Sequence, residues 1–198
     1  MRDVSYVQQL PVGRVTPGLR DARLIEFIGP DRSLNFHFVQ ALAEAGLIIR
    51  EVDTPSGQAD ALILAHGLGG SALQSHTGAL MAISATANRF TQTGGTLILL
   101  QNAGGAFQPR DQRCWHSGLA GLGRTAQKEF PKATVRTIDV DVDGLGASLA
   151  ANRVVEELLT GGTASCGGRS TDARIVPVGR TIVLNRASAS PPQPGDTG

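Results

Sequence analysis

This chain of 198 residues is short of most side chains that carry chemistry: it has two cysteines, one tryptophan, one tyrosine and four histidines. Cys114 and Cys166 cannot build a disulfide framework, and a cytoplasmic setting is the expectation. No run of about 18 apolar residues occurs, so no membrane-spanning helix is expected. The first residues, MRDVSYVQQLPVGRV, lack the apolar centre of a signal peptide. Charge of either sign is not in excess: 18 basic and 17 acidic residues leave a net charge of +1. Such balance gives no reason to expect a nucleic acid or an anionic membrane as partner. The only lysines are Lys128 and Lys132, and the only tyrosine is Tyr6, so any mechanism that needs a particular Tyr or Lys can be tested by inspection. Acidic residues are absent between Asp60 and Asp111, where Arg89 and Arg110 are the only charges.

What is present is a regular alternation. Leu24 to Ile28, Leu47 to Val52, Ala61 to His66, Thr96 to Leu100 and Val135 to Val142 read as strands. Between and after them, Leu34 to Ala45, Leu73 to Phe90, Cys114 to Phe130 and Ala150 to Leu159 have helical spacing, with Gly46 as a helix stop. Gly161-Gly162 stop the last of these, and Arg174 to Leu184, flanking Gly179, reads as a hairpin. Strands alternating with helices of this length specify βαβ units and a parallel sheet. The expected fold is α/β, a doubly wound Rossmann-like parallel sheet, over residues 21–186. Residues 1–20 form an N-terminal segment, and 187–198 a disordered Pro/Ser/Gly tail. The helix from Leu73 to Arg89, with few charges on any face, is either sandwiched within its own domain or forms an interface.

Ligands of such sheets bind at the carboxyl ends of the strands. The first turn there is Gly29-Pro30-Asp31-Arg32-Ser33-Leu34-Asn35. It keeps one glycine, loses an amide to Pro30 and places the Asp31 carboxylate where a phosphate would sit. That argues against tight dinucleotide binding and for an ordinary helix start capped by Asp31 or Ser33. A second turn, His66-Gly67-Leu68-Gly69-Gly70-Ser71-Ala72, has formal G-x-G-x-x-A spacing but no acid about 20 residues on. It also has the look of a hydrolase oxyanion turn, yet no serine has glycine at both −2 and +2. It reads as a close-packed strand end. His66, His76, His116 and Cys114 lack the paired spacing of metal ligands, so no metal site is expected.

The order of these pieces resembles the short-chain dehydrogenase/reductase family from about Leu24 to Leu184. LIEFIGPDRSLNFHFVQALAEAG is similar to that family's opening strand, turn and helix, with its three glycines falling on Gly29, Ser33 and Asn35. ADALILAHGLG resembles the strand that ends in N-N-A-G, and GTLILLQNAGG the one that delivers a catalytic serine. Trp115 to Leu122 resembles Y-x-x-x-K-A-G-L on its shared Ala120-Gly121-Leu122. In that register the tyrosine is replaced by Trp115, the lysine by Leu119, and the serine by Asn102 or Gln101. Tyr6 is followed four residues on by Leu10, so no Y-x-x-x-K exists anywhere in the chain. The proton donor, and the lysine that tunes it, are both missing.

AGLGRTAQKEFPKATVRTIDVD is further similar to ketoreductase regions of polyketide and polyunsaturated fatty acid synthases. In those regions a truncated structural half supports a catalytic half. The resemblance implies a non-catalytic domain without a nucleotide cofactor. It would pair with an active ketoreductase or another synthase component, or with a second copy, through helices 73–89 and 115–130. An alternative keeps an enzyme, cyclase- or dehydratase-like on a carrier-bound acyl chain, with His116 as acid or base and Asn102 as oxyanion donor. Another keeps an atypical ketoreductase that binds NADPH.

Overall fold

A computed structural model describes residues 15–103 and 118–160, and the strands 171–176 and 179–184 by their backbone. Tyr6, Leu10, Cys114, Trp115, His116, Cys166, Gly161-Gly162 and the tail 187–198 lie outside the described residues. The elements are β1 (Ile25–Ile28), α1 (Arg32–Glu44), β2 (Ile49–Glu51), β3 (Ala61–Gly67), α2 (Ala72–Gln92) and β4 (Gly95–Gln101). They continue with α3 (Gly118–Glu129), β5 (Ala133–Val140), α4 (Val142–Leu145), α5 (Ala147–Thr160), β6 (Thr171–Val176) and β7 (Gly179–Leu184). The sheet has seven strands in the order β2-β1-β3-β4-β5-β6-β7. The first six run parallel, and β7 closes the edge as the antiparallel arm of a hairpin with β6.

The apolar runs form the centre of this sheet because parallel strands are covered on both faces. Every residue of β1 is buried, as are the first five of β3 and the last six of β4. Alternate side chains feed two cores. Phe27, Ile63, Ile98 and Ile138 meet Phe38 and Leu42 of α1 and Val154 and Leu158 of α5. Leu62, Leu64, Leu97 and Leu99 meet Ala79, Ile83 and Phe90 of α2 and Leu119 and Ala126 of α3. The chain is thus an α/β, doubly wound, Rossmann-like domain. Four of the described phenylalanines pair within these cores: Phe27 stacks on Phe38, and Phe90 meets Phe130 edge to face, with centroids 6.2 and 6.0 Å apart.

Two details differ from the sequence reading. The alternation in VRTIDVDV suggests a strand to Val142, but β5 ends at Val140. Asp141 instead caps the single turn α4, its carboxylate accepting from the Gly144 amide. Residues 15–20 also belong to the packed unit. Leu19 is fully buried, the Thr16 amide donates to the Leu158 carbonyl, and Thr16 Oγ1 accepts from Arg136, itself paired with buried Glu157. Elsewhere punctuation works as read: Gly46, at φ +83°, follows the last turn of α1 and donates its amide to Ala43.

Candidate functional site

The sheet order reverses direction between β1 and β3, and the crevice over their carboxyl ends is where a doubly wound fold holds its ligand. Its floor is Gly29, one wall is the start of α1, and the opposite wall is the turn from β3 into α2. The two turns approach each other closely. A Cβ placed on Gly70, which is held at φ +79°, would stand 3.9 Å from the Pro30 ring.

The groups a dinucleotide would need are engaged with the chain itself. The Asp31 carboxylate accepts from the amides of Ser33 and Leu34, at 2.9 and 3.1 Å, the donors that would otherwise face a pyrophosphate. Of the two capping candidates in the sequence, Asp31 is the cap. Asn35, in the register of the third glycine, is 2% exposed. Its Nδ2 donates to the Gly29 carbonyl at 2.9 Å and to Glu51 Oε1 at 2.8 Å. Its Oδ1 lies where a Cβ of Gly29 would be, so the space glycine leaves open is taken by the Asn35 carboxamide. Ser33, the remaining degenerate position, is exposed at the first turn of α1.

Glu51 ends β2, 22 residues after Gly29, at the place where dinucleotide-binding folds hold a ribose with a carboxylate. Here it meets Asn35 and Arg32, whose guanidinium also reaches Asp53. The sequence reading passed over Arg32, Glu51 and Asp53, although an acid at that distance from the first glycine turn was the available signal. Asp31, Asn35 and Glu51 are thus each bonded within the chain at this end of the crevice.

On the other side of the crevice, β3 ends as the close-packed turn the sequence suggests. A Cβ on Gly67 would collide with Leu119 and with the backbone of Leu100 and Gln101. Ser71 and Gln74 form a reciprocal cap at the start of α2. His66 rests on Gly78, and burial pushes its imidazole below its ordinary pKa. His76 rests in the same way on Gly118. His66 Nδ1 and His76 Nε2 have no hydrogen-bond partner among the described residues. Among those residues, no three His, Cys, Asp or Glu side chains group as metal ligands.

The positions in the register of the catalytic serine are committed to structure. Gln101 Oε1 accepts from the Ala120 amide and ties β4 to α3. Asn102, 7% exposed, donates through Nδ2 to Asp143 of α4 at 3.3 Å. Leu119, in the lysine register, is fully buried in the core beneath α2 and α3. The structure therefore brings Gly29 and Asn35 together on one side and Gln101 and Asn102 together on the other. Trp115 and His116 lie in the segment between β4 and α3 that falls outside the described residues.

No family model matches this chain, and no curated protein matches it. Solved structures do. The chain is similar to part of an adenylation, ketoreductase and pseudo Asub multidomain structure of a keto acid-selecting NRPS module, at TM-score 0.61 and 12% identity, over 93% of this chain. It spans 18% of that protein's length. It is also similar to a short chain dehydrogenase from Mycobacterium avium, at TM-score 0.45, 13% identity and 80% coverage (70% of that chain). Acetoin dehydrogenase YohF from Salmonella typhimurium gives TM-score 0.43, 14% identity and 79% coverage (86% of that chain). The likeness to the NRPS module is one of fold, a doubly wound α/β sheet carried with 12% identity. No described helix is long and apolar enough to cross a membrane.

Proposed function

We propose that this chain is a catalytically silent reductase-fold domain that binds no nicotinamide cofactor and supports an active ketoreductase or another component of polyketide or fatty-acid assembly. The observation that carries the reading is Asn35, buried against Gly29 and bonded to Glu51 in the crevice where the cofactor of this fold would lie. The absence of any Tyr-x-x-x-Lys in the sequence agrees with it, since general acid catalysis on a carbonyl needs a tuned proton donor. The likeness to part of a module that contains a ketoreductase supports an assembly-line setting.

The face offered to a partner is the outer side of α2, extended by α3. Leu73, Leu80 and Met81 stand out from α2, with Leu73 77% and Met81 68% exposed. The only charged side chain of α2, Arg89, is turned back to Asp60 and the Ala59 carbonyl at the foot of β3. An uncharged, partly apolar helix face suits burial against another subunit, either a reductase half or a second copy of this chain. Co-purification of the tagged chain with a ketoreductase from a synthase tests this. A complex weakened by Met81→Lys is the expected result; recovery of the chain alone, monomeric, would refute it.

A hydride-transfer assay with NADPH and a model β-keto thioester addresses the rival readings. No turnover above the protein-free rate is expected. Turnover would favour an atypical reductase. The cyclase- or dehydratase-like alternative rests on Asn102 as an oxyanion donor, and the bond from its Nδ2 to Asp143 speaks against that role.

A further inference from the structure

We infer that Asp31, Arg32, Asn35 and Glu51 form an intramolecular clasp that replaces a dinucleotide group for group and holds the crevice shut. The inference rests on the silent-domain reading and deepens it, by naming what occupies the emptied site. Three substitutions of contact define the clasp. A carboxylate from Asp31 sits on the amides at the start of α1 in place of a phosphate. The Asn35 carboxamide fills the open side of Gly29 in place of the ligand's close approach. The Asn35 amide and the Arg32 guanidinium engage Glu51 in place of ribose hydroxyls.

The members are unequal. Arg32 and Asp53 are largely exposed, and such pairs are screened by water and salt. Asn35 is the buried member that bridges the β1–α1 turn and the end of β2, beside the exposed Arg32 pairs. Its loss takes a donor from the part-buried Gly29 carbonyl and leaves Glu51 with Arg32 alone, and acceptors left unpaired away from water are costly. Asn35 is therefore the pin, and the ion pairs are its outer cover. Because the clasp is part of the chain, it competes with any free nucleotide at the advantage of an intramolecular contact.

A double-mutant cycle on the full chain tests the clasp. Asn35→Ala and Glu51→Ala are each expected to lower Tm by about 3–6 °C. The double variant should fall by clearly less than the sum of the two single losses, because the bond that the two residues share is removed only once. Glu51→Gln keeps an acceptor for Asn35 and should recover most of the loss. Additive losses, or single losses below about 1 °C, would overturn the clasp. Should these variants fold poorly, side-chain amide exchange in the unmodified protein decides. The Asn35 Nδ2 protons should exchange at least ~100-fold more slowly than those of exposed Asn88. Equal rates would overturn the inference. Failure here leaves the partner reading intact, and failure to capture a partner leaves the clasp intact.

Discussion

The two walls of the switch-point crevice are built on opposite principles. The β1–α1–β2 wall is polar and internally satisfied: Asp31, Arg32, Asn35, Glu51 and Asp53 answer one another. Deeper on the same side, Glu26 sits fully buried in β1, held by Arg50 and by the Ser56 amide. The β3–α2 wall has one charged side chain on 21 residues of helix, packs through glycines at positions 67 and 78, and presents Leu73, Leu80 and Met81 outward. The polar groups of the first wall are bonded to one another. The second has surface in excess. A domain that has exchanged cofactor binding for partner binding would be divided in this way.

The largest effect should come from unseating α2. Phe90 is fully buried between the sheet and Phe130, and Phe90→Ala is expected to remove about 3–5 kcal/mol by chemical denaturation. That loss would show that the inner face of α2 is ordinary core, leaving only its outer face for a partner. On the other wall, Asp31→Ala removes the cap of α1 and should cost about 1 kcal/mol.

Acid should weaken both walls, at different pH. Burial pushes the Glu26 carboxyl up, but hydrogen bonds from Ser56 and Arg50 outweigh it and hold the group below 4.5. The unfolded chain then binds more protons than the folded one, so the stabilisation is full above about pH 4.5 and is lost as pH falls through the folded value. Burial holds His66 below 6.5, so stability should already decline as pH drops under about 6.5, where the unfolded imidazole takes up a proton first. Denaturation midpoints from pH 4 to 8 check this; His66→Phe should flatten the upper part of the slope and Glu26→Gln the lower. The smallest effect on folding belongs to the outer face. Met81→Lys should change stability by no more than about 0.5 kcal/mol while reducing association, which equilibrium unfolding and sedimentation measure separately.

The fold was readable because its signals are local. The runs EFI, ALILA and TLILL are buried on both faces, and Gly46, Ser71 and Asp31 end or begin helices by bonds within four residues. The α4 turn was hidden because Val140, Asp141 and Val142 keep the alternation of a strand, while the decisive bond, Asp141 to the Gly144 amide, can only be made once the chain has turned. The site was half readable. That the turn had lost its glycines followed from Ser33 and Asn35 alone. What Asn35 does instead depends on Glu51, 16 residues away on another strand, and such a pairing has no periodicity to announce it. The same holds for Arg136 and Glu157, whose buried pair joins β5 to α5.

We propose above all that this doubly wound sheet binds no nicotinamide nucleotide. Titration of the full chain with NADPH, followed by the fluorescence of the nicotinamide, tests it most directly. The account predicts no saturable change up to millimolar cofactor. Saturable binding tighter than about 100 μM, roughly −5.5 kcal/mol, would contradict it.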